Sequence, residues 1–427
     1  MMASLFVIML ALFALGAPIA WSMAFAAAAY MVLGPQVPLH GMVQRMIGGI
    51  DTFPLLAIPF FILAGNLMNT GGITDRLVTL ARSMVGHITG GLAHVAVVAN
   101  MIMAGMSGSG VADAAGTGSV LLPAMEKVRY GKPFSAAIVG AASTIGPIIP
   151  PSIPFVIYGS IANASIGRLL LGGAIPGVLM GLMLMIFAYF IAKRRHYPKE
   201  GRASWAELGK AALHALPPLG MPVIILGGII GGVMTPTEAA AAGAAYAFVL
   251  GFFVYREITL RDLGKVVVDS ALSTAAISII ISAAQPFGWV LTLEQAPQTV
   301  FALFQSINLS QWQLYLALNL LFLVVGCFME GIAVMVMAIP VVMPIIQHAG
   351  IDPVHFGVVY TVNSMIGTIT PPVGMIMYVV CALGKVGISE FSREVWPFLI
   401  ALIIALFLVT YIPALAMWLP NLLMPVR

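Results

Sequence analysis

Apolar residues run through this chain in blocks of about 20, long enough to cross a lipid bilayer as helices, separated by short polar or Gly/Pro-rich joints. The stretches near 134–160, 166–192, 214–233, 237–255, 354–382 and 397–420 are the clearest. Together the blocks supply roughly 10–12 membrane-embedded helices or half-helices. From Met1 to Gly34 the chain is apolar and has no charged n-region, so it reads as retained membrane structure rather than a signal peptide. Gly16-Ala-Pro18 marks either a kink or a short hairpin in it.

Two of the blocks are interrupted in the same way. Ser143-Thr-Ile-Gly-Pro-Ile-Ile-Pro-Pro151 returns 221 residues later as Ser364-Met-Ile-Gly-Thr-Ile-Thr-Pro-Pro372, identical at six of nine positions. At that offset, without gaps, Gly110 falls on Gly331, Pro123 on Pro344 and Pro176 on Pro397. Such a run cannot continue a helix, because each proline lacks a donor and pushes its predecessor out of the helical region. In hydrocarbon a break survives only where protein buries it or where it lines a cavity. Matching breaks in two halves point to the midplane site of a secondary transporter.

Each half also holds a Gly-rich stretch long enough for two short helices. In 88–122 the turn would fall at Met106-Ser-Gly-Ser-Gly110, and in 311–344 at Cys327-Phe-Met-Glu-Gly331. The fold expected is an all-α polytopic membrane protein with inverted repeats, two re-entrant helical hairpins and two broken helices.

Charge supplies the orientation. Basic residues cluster at Lys127/Arg129/Lys132, from Lys193 through Lys210, and at Arg256/Arg261/Lys265, with an even number of spans between clusters. All three can therefore face the cytoplasm. The repeat partner of the first, His348 to Pro353, has no Lys or Arg and fits outside; Lys385 and Arg393 return inside and the C-terminus lies outside. The halves are thus inverted.

Composition narrows the function. The chain is 61% hydrophobic and 8% charged, which excludes soluble classes, and its net charge of +4 is carried by few residues between apolar runs, so it is no nucleic-acid footprint. Cys327 and Cys381 lie in apolar segments and read as buried thiols. None of four Gly-Lys pairs is followed by Ser or Thr, so no P-loop motor is present.

The candidate chemistry sits at the tips and breaks. Ser107-Gly-Ser-Gly110 against Ser143 to Ser152 offers hydroxyls and freed carbonyls for a hard cation such as Na⁺; the competing reading is tight packing of small residues. In the second half, Phe328-Met-Glu330-Gly331 faces Thr361 to Val373, where Thr361, Asn363, Ser364, Thr368 and Thr370 supply oxygens. Glu330 either acts there or caps a half-helix. Asp113 either lines the first site or satisfies freed backbone donors, and Arg168, the basic residue of the expected periplasmic turn, could meet an anionic substrate or a partner protein. Thr235-Pro-Thr-Glu238 reads as a capping box. Gly105-Met-Ser107-Gly108 also fits the Gly-x-Ser-Gly of intramembrane serine proteases, with His94 the one histidine well inside an apolar run, so an enzyme is a remote alternative.

Taken together, Ser107-Gly-Ser-Gly110, Gly146-Pro-Ile-Ile-Pro-Pro-Ser152, Thr235-Pro-Thr-Glu-Ala-Ala240 and Gly367-Thr-Ile-Thr-Pro-Pro-Val-Gly374 resemble the large membrane (permease) subunit of tripartite ATP-independent periplasmic (TRAP) transporters over nearly the whole chain. The resemblance implies Na⁺-coupled uptake of an organic acid across the bacterial inner membrane by an elevator-type transporter, with Na⁺ as coupling ion and no other cofactor. It implies a separate small four-helix membrane subunit and a periplasmic substrate-binding protein as partners. Scaffold helices would occupy 1–87 and 214–310, a transport domain 88–192 and 311–427, and a cytoplasmic linker 193–213. Carried over, one sodium site would use Ser107, Gly108, Ser109, Gly146 and Pro150, and the other Met329, Gly331, Thr361, Gly367 and Thr370. Substrate would lie near Ser152, Glu330 and Val373. The alternatives are a stand-alone dicarboxylate–sodium symporter of related two-hairpin fold and, more remotely, a membrane scaffold without a transport path.

Overall fold

Helices make up nearly all of the regular structure in the computed structural model, which describes residues 2–33, 39–307 and 309–425; no strand occurs among them. Met1, 34–38, 308 and 426–427, including the expected end of the chain, lie outside the described residues.

The N-terminal apolar block forms two helices, α1 (Met2–Ala14) and α2 (Ile19–Leu33), packed on each other. Gly16, at φ +88°, and the Ala17 N–H donating back to Leu12 C=O end α1 in the left-handed turn that glycine favours, so the joint is a hairpin rather than a kink. Then come α3 (Leu39–Ile50), α4 (Ala57–Thr70) and α5 (Ile73–Val85). On α5 the buried Ile73, Leu77, Leu80 and Ala81 recur every three or four residues opposite Asp75, Arg76 and Arg82, the pattern of a surface helix.

The first repeat follows as α6 (Gly91–Ser107), α7 (Gly110–Lys127), α8 (Lys132–Ser143), α9 (Ile153–Ala162) and α10 (Ile166–Arg194). After it, α11 (Trp205–Ile230) opens on a Ser204–Glu207 capping box, so the second part of the expected linker is helical. Next are α12 (Pro236–Val249), α13 (Leu260–Leu293) and α14 (Ala296–Ile307). At 34 residues α13 is about 50 Å long, well beyond a hydrocarbon core of about 30 Å.

The second repeat is α15 (Gln311–Gly326), α16 (Gly331–His348), α17 (Pro353–Gly367), α18 (Met375–Gly384) and α19 (Ile388–Tyr411), ending in α20 (Ala414–Leu423). The prolines aligned by the repeat sit inside matching helices: Pro123 in α7 and Pro344 in α16, Pro176 in α10 and Pro397 in α19. The last span differs from expectation. It starts nine residues early and stops at Tyr411, because Pro413 pushes Ile412, at φ −119° and ψ 80°, out of the helical region.

Among the described residues, seven helical segments are long and apolar enough to cross a membrane, α10, α13 and α19 among them. The two hairpins, α6–α7 and α15–α16, enter from opposite faces. The α7–α8 joint lies at the end of α10, where Tyr130 stacks on Tyr197 at 4.2 Å. The α16–α17 joint lies at the far end of α9, where the Tyr158 hydroxyl donates to Pro353 C=O at 2.7 Å. Because α10 starts just after α9, the two joints are a full span apart.

The charged loops expected in the cytoplasm share one face. Arg195 pairs with Glu394 at 2.9 Å and Arg82 with Glu200 at 2.5 Å, while Arg76, one turn or two along α5, pairs with Glu257 at 2.5 Å.

Small residues let the repeats close up. Gly173, Gly177 and Gly181 form a stripe on α10. A Cβ at Gly173 would sit 2.1 Å from Ile148 O, one at Gly177 2.3 Å from Ile149, and one at Gly181 2.3 Å from Met101. The break of the first half and the first hairpin therefore pack directly on the α10 backbone. Elements α6–α10 pack extensively with α17–α20, and α2–α4 with α11–α13.

Candidate functional site

The turn between α6 and α7 is two residues long. Gly108 takes φ +59°, where a side chain is disfavoured, and Ser109 is extended and caps α7, its Oγ accepting the Ala112 N–H at 3.4 Å. Ser107 Oγ accepts the Ser109 N–H at 3.3 Å. Opposite, residues 144–152 leave the helix in turns, and the Pro150–Pro151 bond is cis. Ser152 caps α9 by accepting the Phe155 N–H at 3.3 Å and donates to Pro147 C=O. Tip and break touch closely: a Cβ at Gly108 would lie 2.9 Å from Pro151 O, and one at Gly110 2.9 Å from Ser143 O.

Four helix ends therefore converge here. The C-termini of α6 and α8 turn the negative ends of their dipoles here, which suits a cation, although Ala141, Ala142 and Ser143 C=O of α8 each accept an N–H of the break; the N-termini of α7 and α9 bring N–H groups, which suit a carboxylate. Of the first set of sodium residues, Ser107, Gly108 and Ser109 form the tip, and Gly146 and Pro150 lie in the break that faces it.

Asp113 is the most unusual group at this junction. One turn into α7, it is 0% exposed and neither carboxylate oxygen has a hydrogen bond of good geometry, although the Ser107 side chain lies beside it. It leans over Gly146, where a Cβ would lie 2.1 Å from Oδ2. Its backbone donors are served elsewhere, by Ser109, so the reading of Asp113 as a cap does not describe it.

The second junction repeats the plan with different chemistry. Glu330 occupies the repeat position of Ser109 and caps α16, its carboxylate accepting the Ala333 N–H at 2.9 Å. Val373 N–H donates to Cys327 C=O at 3.2 Å, tying break to tip, and a Cβ at Gly367 would lie 2.8 Å from Gly326 O. Gly331 packs on Ser364, and its carbonyl, which in the first turn of α16 faces the Met335 N–H, also accepts from Tyr360 at 2.9 Å. Thr361 and Thr370 turn their hydroxyls to their own helix, to Gly357 O at 2.8 Å and Ile366 O at 2.7 Å. Met329 is half-buried, and the Pro371–Pro372 bond is cis.

Asn363 donates to Asn319 O at 2.9 Å and Oδ1 at 3.0 Å, while its own Oδ1 is buried without a donor. Asn319, in turn, donates to Thr410 at 3.0 Å. Sequence reading passed over Asn319; a lone amide inside Leu-Ala-Leu-Asn-Leu-Leu-Phe was the available signal.

The three residues expected near substrate differ in access. Ser152 is 0% exposed with its hydroxyl fully engaged, Glu330 is half-buried, and Val373 is 42% exposed. Arg168 is not free: it is 7% exposed and donates to Asn421 on α20 at 2.6 Å. Thr235 and Glu238 make the reciprocal capping box at the start of α12. His94 donates its Nε2–H to Thr89 C=O at 3.2 Å and lies 13 residues from Ser107 on the same helix, about 20 Å away, so those two cannot form a catalytic pair.

The comparisons agree with this architecture. Residues 6–415 match the family described as tripartite ATP-independent periplasmic transporter, DctM component. The chain is 42% identical over 407 residues to a sialic acid TRAP transporter large permease protein of Vibrio cholerae, covering 95% of each. It is 42% identical over 371 residues to a C4-dicarboxylate TRAP transporter large permease protein of Pseudomonas aeruginosa, covering 87% of each. Among solved structures, the YdaH transporter of Alcanivorax borkumensis superposes with a TM-score of 0.61 at 15% identity, over 92% of this chain and 96% of that one, a likeness of fold. The chain thus belongs to the DctM family of tripartite ATP-independent periplasmic transporters, as a multi-pass permease of the bacterial inner membrane.

Proposed function

We propose that this chain is the permease subunit of a Na⁺-coupled importer of an organic acid. The observation that carries the reading is that each tip–break junction buries a side-chain oxygen without a donor: both oxygens of Asp113 in the first, Oδ1 of Asn363 in the second. A buried acceptor, above all a carboxylate at membrane depth, is costly unless a cation or proton meets it. Converging helix-end carbonyls make a hard cation the fitting partner. The two sodium sites would comprise Ser107, Gly108, Ser109, Gly146 and Pro150, with Asp113 added, and Met329, Gly331, Thr361, Gly367 and Thr370, with Asn363 added.

The substrate class follows from the relatives. Their names specify sialic acid and C4-dicarboxylates, which share a carboxylate. The helix N-termini at Ser109 and Ser152 suit that group, whereas at α16 the Glu330 carboxylate already takes that place; substrate would lie between the tips near Ser152, Glu330 and Val373. Movement would be of the elevator kind, with 88–192 and 311–427 sliding against the scaffold 1–87 and 214–310; the packing of α6–α10 on α17–α20 and of α2–α4 on α11–α13 supports that division, and α5–α6 and α13–α16 are the packed pairs that such sliding would have to shift. The family name describes a three-part assembly, which a small membrane subunit and a periplasmic binding protein would complete.

Uptake measured against Na⁺ concentration tests this reading. Two ion sites predict a requirement for Na⁺ over K⁺ or choline and a Hill coefficient above one. Equal uptake in choline would sink it, and full-rate uptake by this chain without partners would favour the stand-alone symporter.

A further inference from the structure

A cavity of about 580 Å³ opens between the two groups of helices on the face opposite the ion pairs. Arg45, Thr52, Gln285 and Trp289 line it from α3, the joint after it and α13; Ser160 of α9 and Pro340 of α16 line it from the other side. We propose that this cavity is an outer waiting site that binds the carboxylate of the incoming substrate before it reaches the hairpin tips, a proposal that rests on the organic-acid reading above.

The first argument is chemical. The guanidinium of Arg45 lies 4.1 Å over the Trp289 ring and, among the described residues, makes no hydrogen bond and no ion pair. Stacking fixes the plane of the guanidinium and leaves its edge donors free, the arrangement that suits bidentate capture of a carboxylate. Gln285, Thr52 and Ser160 add neutral polar groups, and no Asp or Glu lines the cavity.

The second argument is space. A Cβ at Gly48 or at Gly288 would meet no atom within 4 Å, so these glycines open volume rather than admit a neighbour. The cavity is of the size that holds a small organic molecule.

The third argument is position. The far walls are the outer turn of α9 and the inner half of α16, the two helices capped at their inner ends by Ser152 and Glu330. Ser160 is eight residues beyond Ser152, about 12 Å, and Val336 is six beyond Glu330, about 9 Å. An anion leaving Arg45 along α9 arrives at the helix N-terminus in the first break, beside the first tip. The same chemistry also suits a lipid phosphate, which the test separates.

The test has a binding arm and a transport arm. In the full chain carrying Gly48→Cys, modification by an anionic sulfonatoethyl methanethiosulfonate is compared with a cationic trimethylammonium analogue, subtracting the rate of the native thiols in the wild type. Arg45→Gln should lower the anion-to-cation rate ratio by about tenfold, and succinate or N-acetylneuraminate should slow the anionic reagent. An unchanged ratio overturns the proposal. So does an Arg45 effect that vanishes in nanodiscs containing phosphatidylglycerol, which would assign the site to a lipid phosphate.

In vesicles with all subunits, Arg45→Gln and Gly288→Leu should each raise KM about tenfold with kcat within about twofold of wild type. Unchanged KM in both, with Na⁺-driven uptake by the wild type intact, rejects the waiting site alone. Absence of uptake by the wild type rejects the function on which it rests.

Discussion

Asp113 and Glu330 are both carboxylates near a hairpin tip, yet the structure treats them differently. Glu330 spends an oxygen on the Ala333 N–H, while Asp113 has no donor of good geometry at all. Asp113→Asn should therefore raise the Na⁺ concentration for half-maximal uptake by about tenfold or more, with membrane abundance held near wild type. Unaltered Na⁺ dependence in a normally abundant variant would make Asp113 a packing residue. The hydroxyls of Ser109 and Thr370 already bond within their own half, which is worth about 1 kcal/mol each, so Ser109→Ala and Thr370→Ala should cost little stability. Each should raise the Na⁺ requirement more than it lowers abundance; normal Na⁺ titrations for both would remove them from the ion sites. The oxygen-bearing positions were legible in the sequence because polar residues are conspicuous in an apolar run. What Asp113 and Arg168 face was not, since the neighbours that leave one unpaired and bind the other to Asn421 come from distant segments.

Helix breaks were the most readable elements, because Gly-x-Ile-x-Pro-Pro forbids a helix whatever surrounds it. Hairpin tips at Gly108 and at Cys327 to Glu330 were readable for a similar reason, a cluster of turn-permitting residues midway between apolar runs. Helix ends set by milder signals were not. The start of α11 at Trp205 depends on Ser204 and Glu207 in a polar stretch, and the separation of α19 from α20 on a single Pro413. The α10 stripe sets what packing at the first break tolerates. Gly173→Leu would drive a side chain into Ile148 O, a clash that small shifts cannot relieve, and should cut the abundance of folded protein severely. Gly288→Leu faces open space and should leave abundance near wild type. Equal thermal stability of the two variants in detergent would contradict the close packing of α10 on the break.

For the molecule as a whole, the repeat offset and the placement of Lys and Arg were sufficient to foresee inverted halves, and the opposite positions of the α7–α8 and α16–α17 joints agree. Cysteine labelling from outside intact cells should modify a Cys at His348 and spare one at Arg195; labelling at 195 would reverse the assigned orientation. Which helices pack on which is a property of distant contacts, which no local pattern encodes. The central claim is that a Na⁺ gradient drives this permease when its partners are present. The most direct measurement is accumulation of labelled organic acid in proteoliposomes holding this chain, a small membrane subunit and a loaded periplasmic binding protein, with Na⁺ outside and none inside. The account predicts accumulation above the external concentration, abolished by a Na⁺ ionophore and absent for this chain alone. Accumulation that persists after the Na⁺ gradient is collapsed would contradict it.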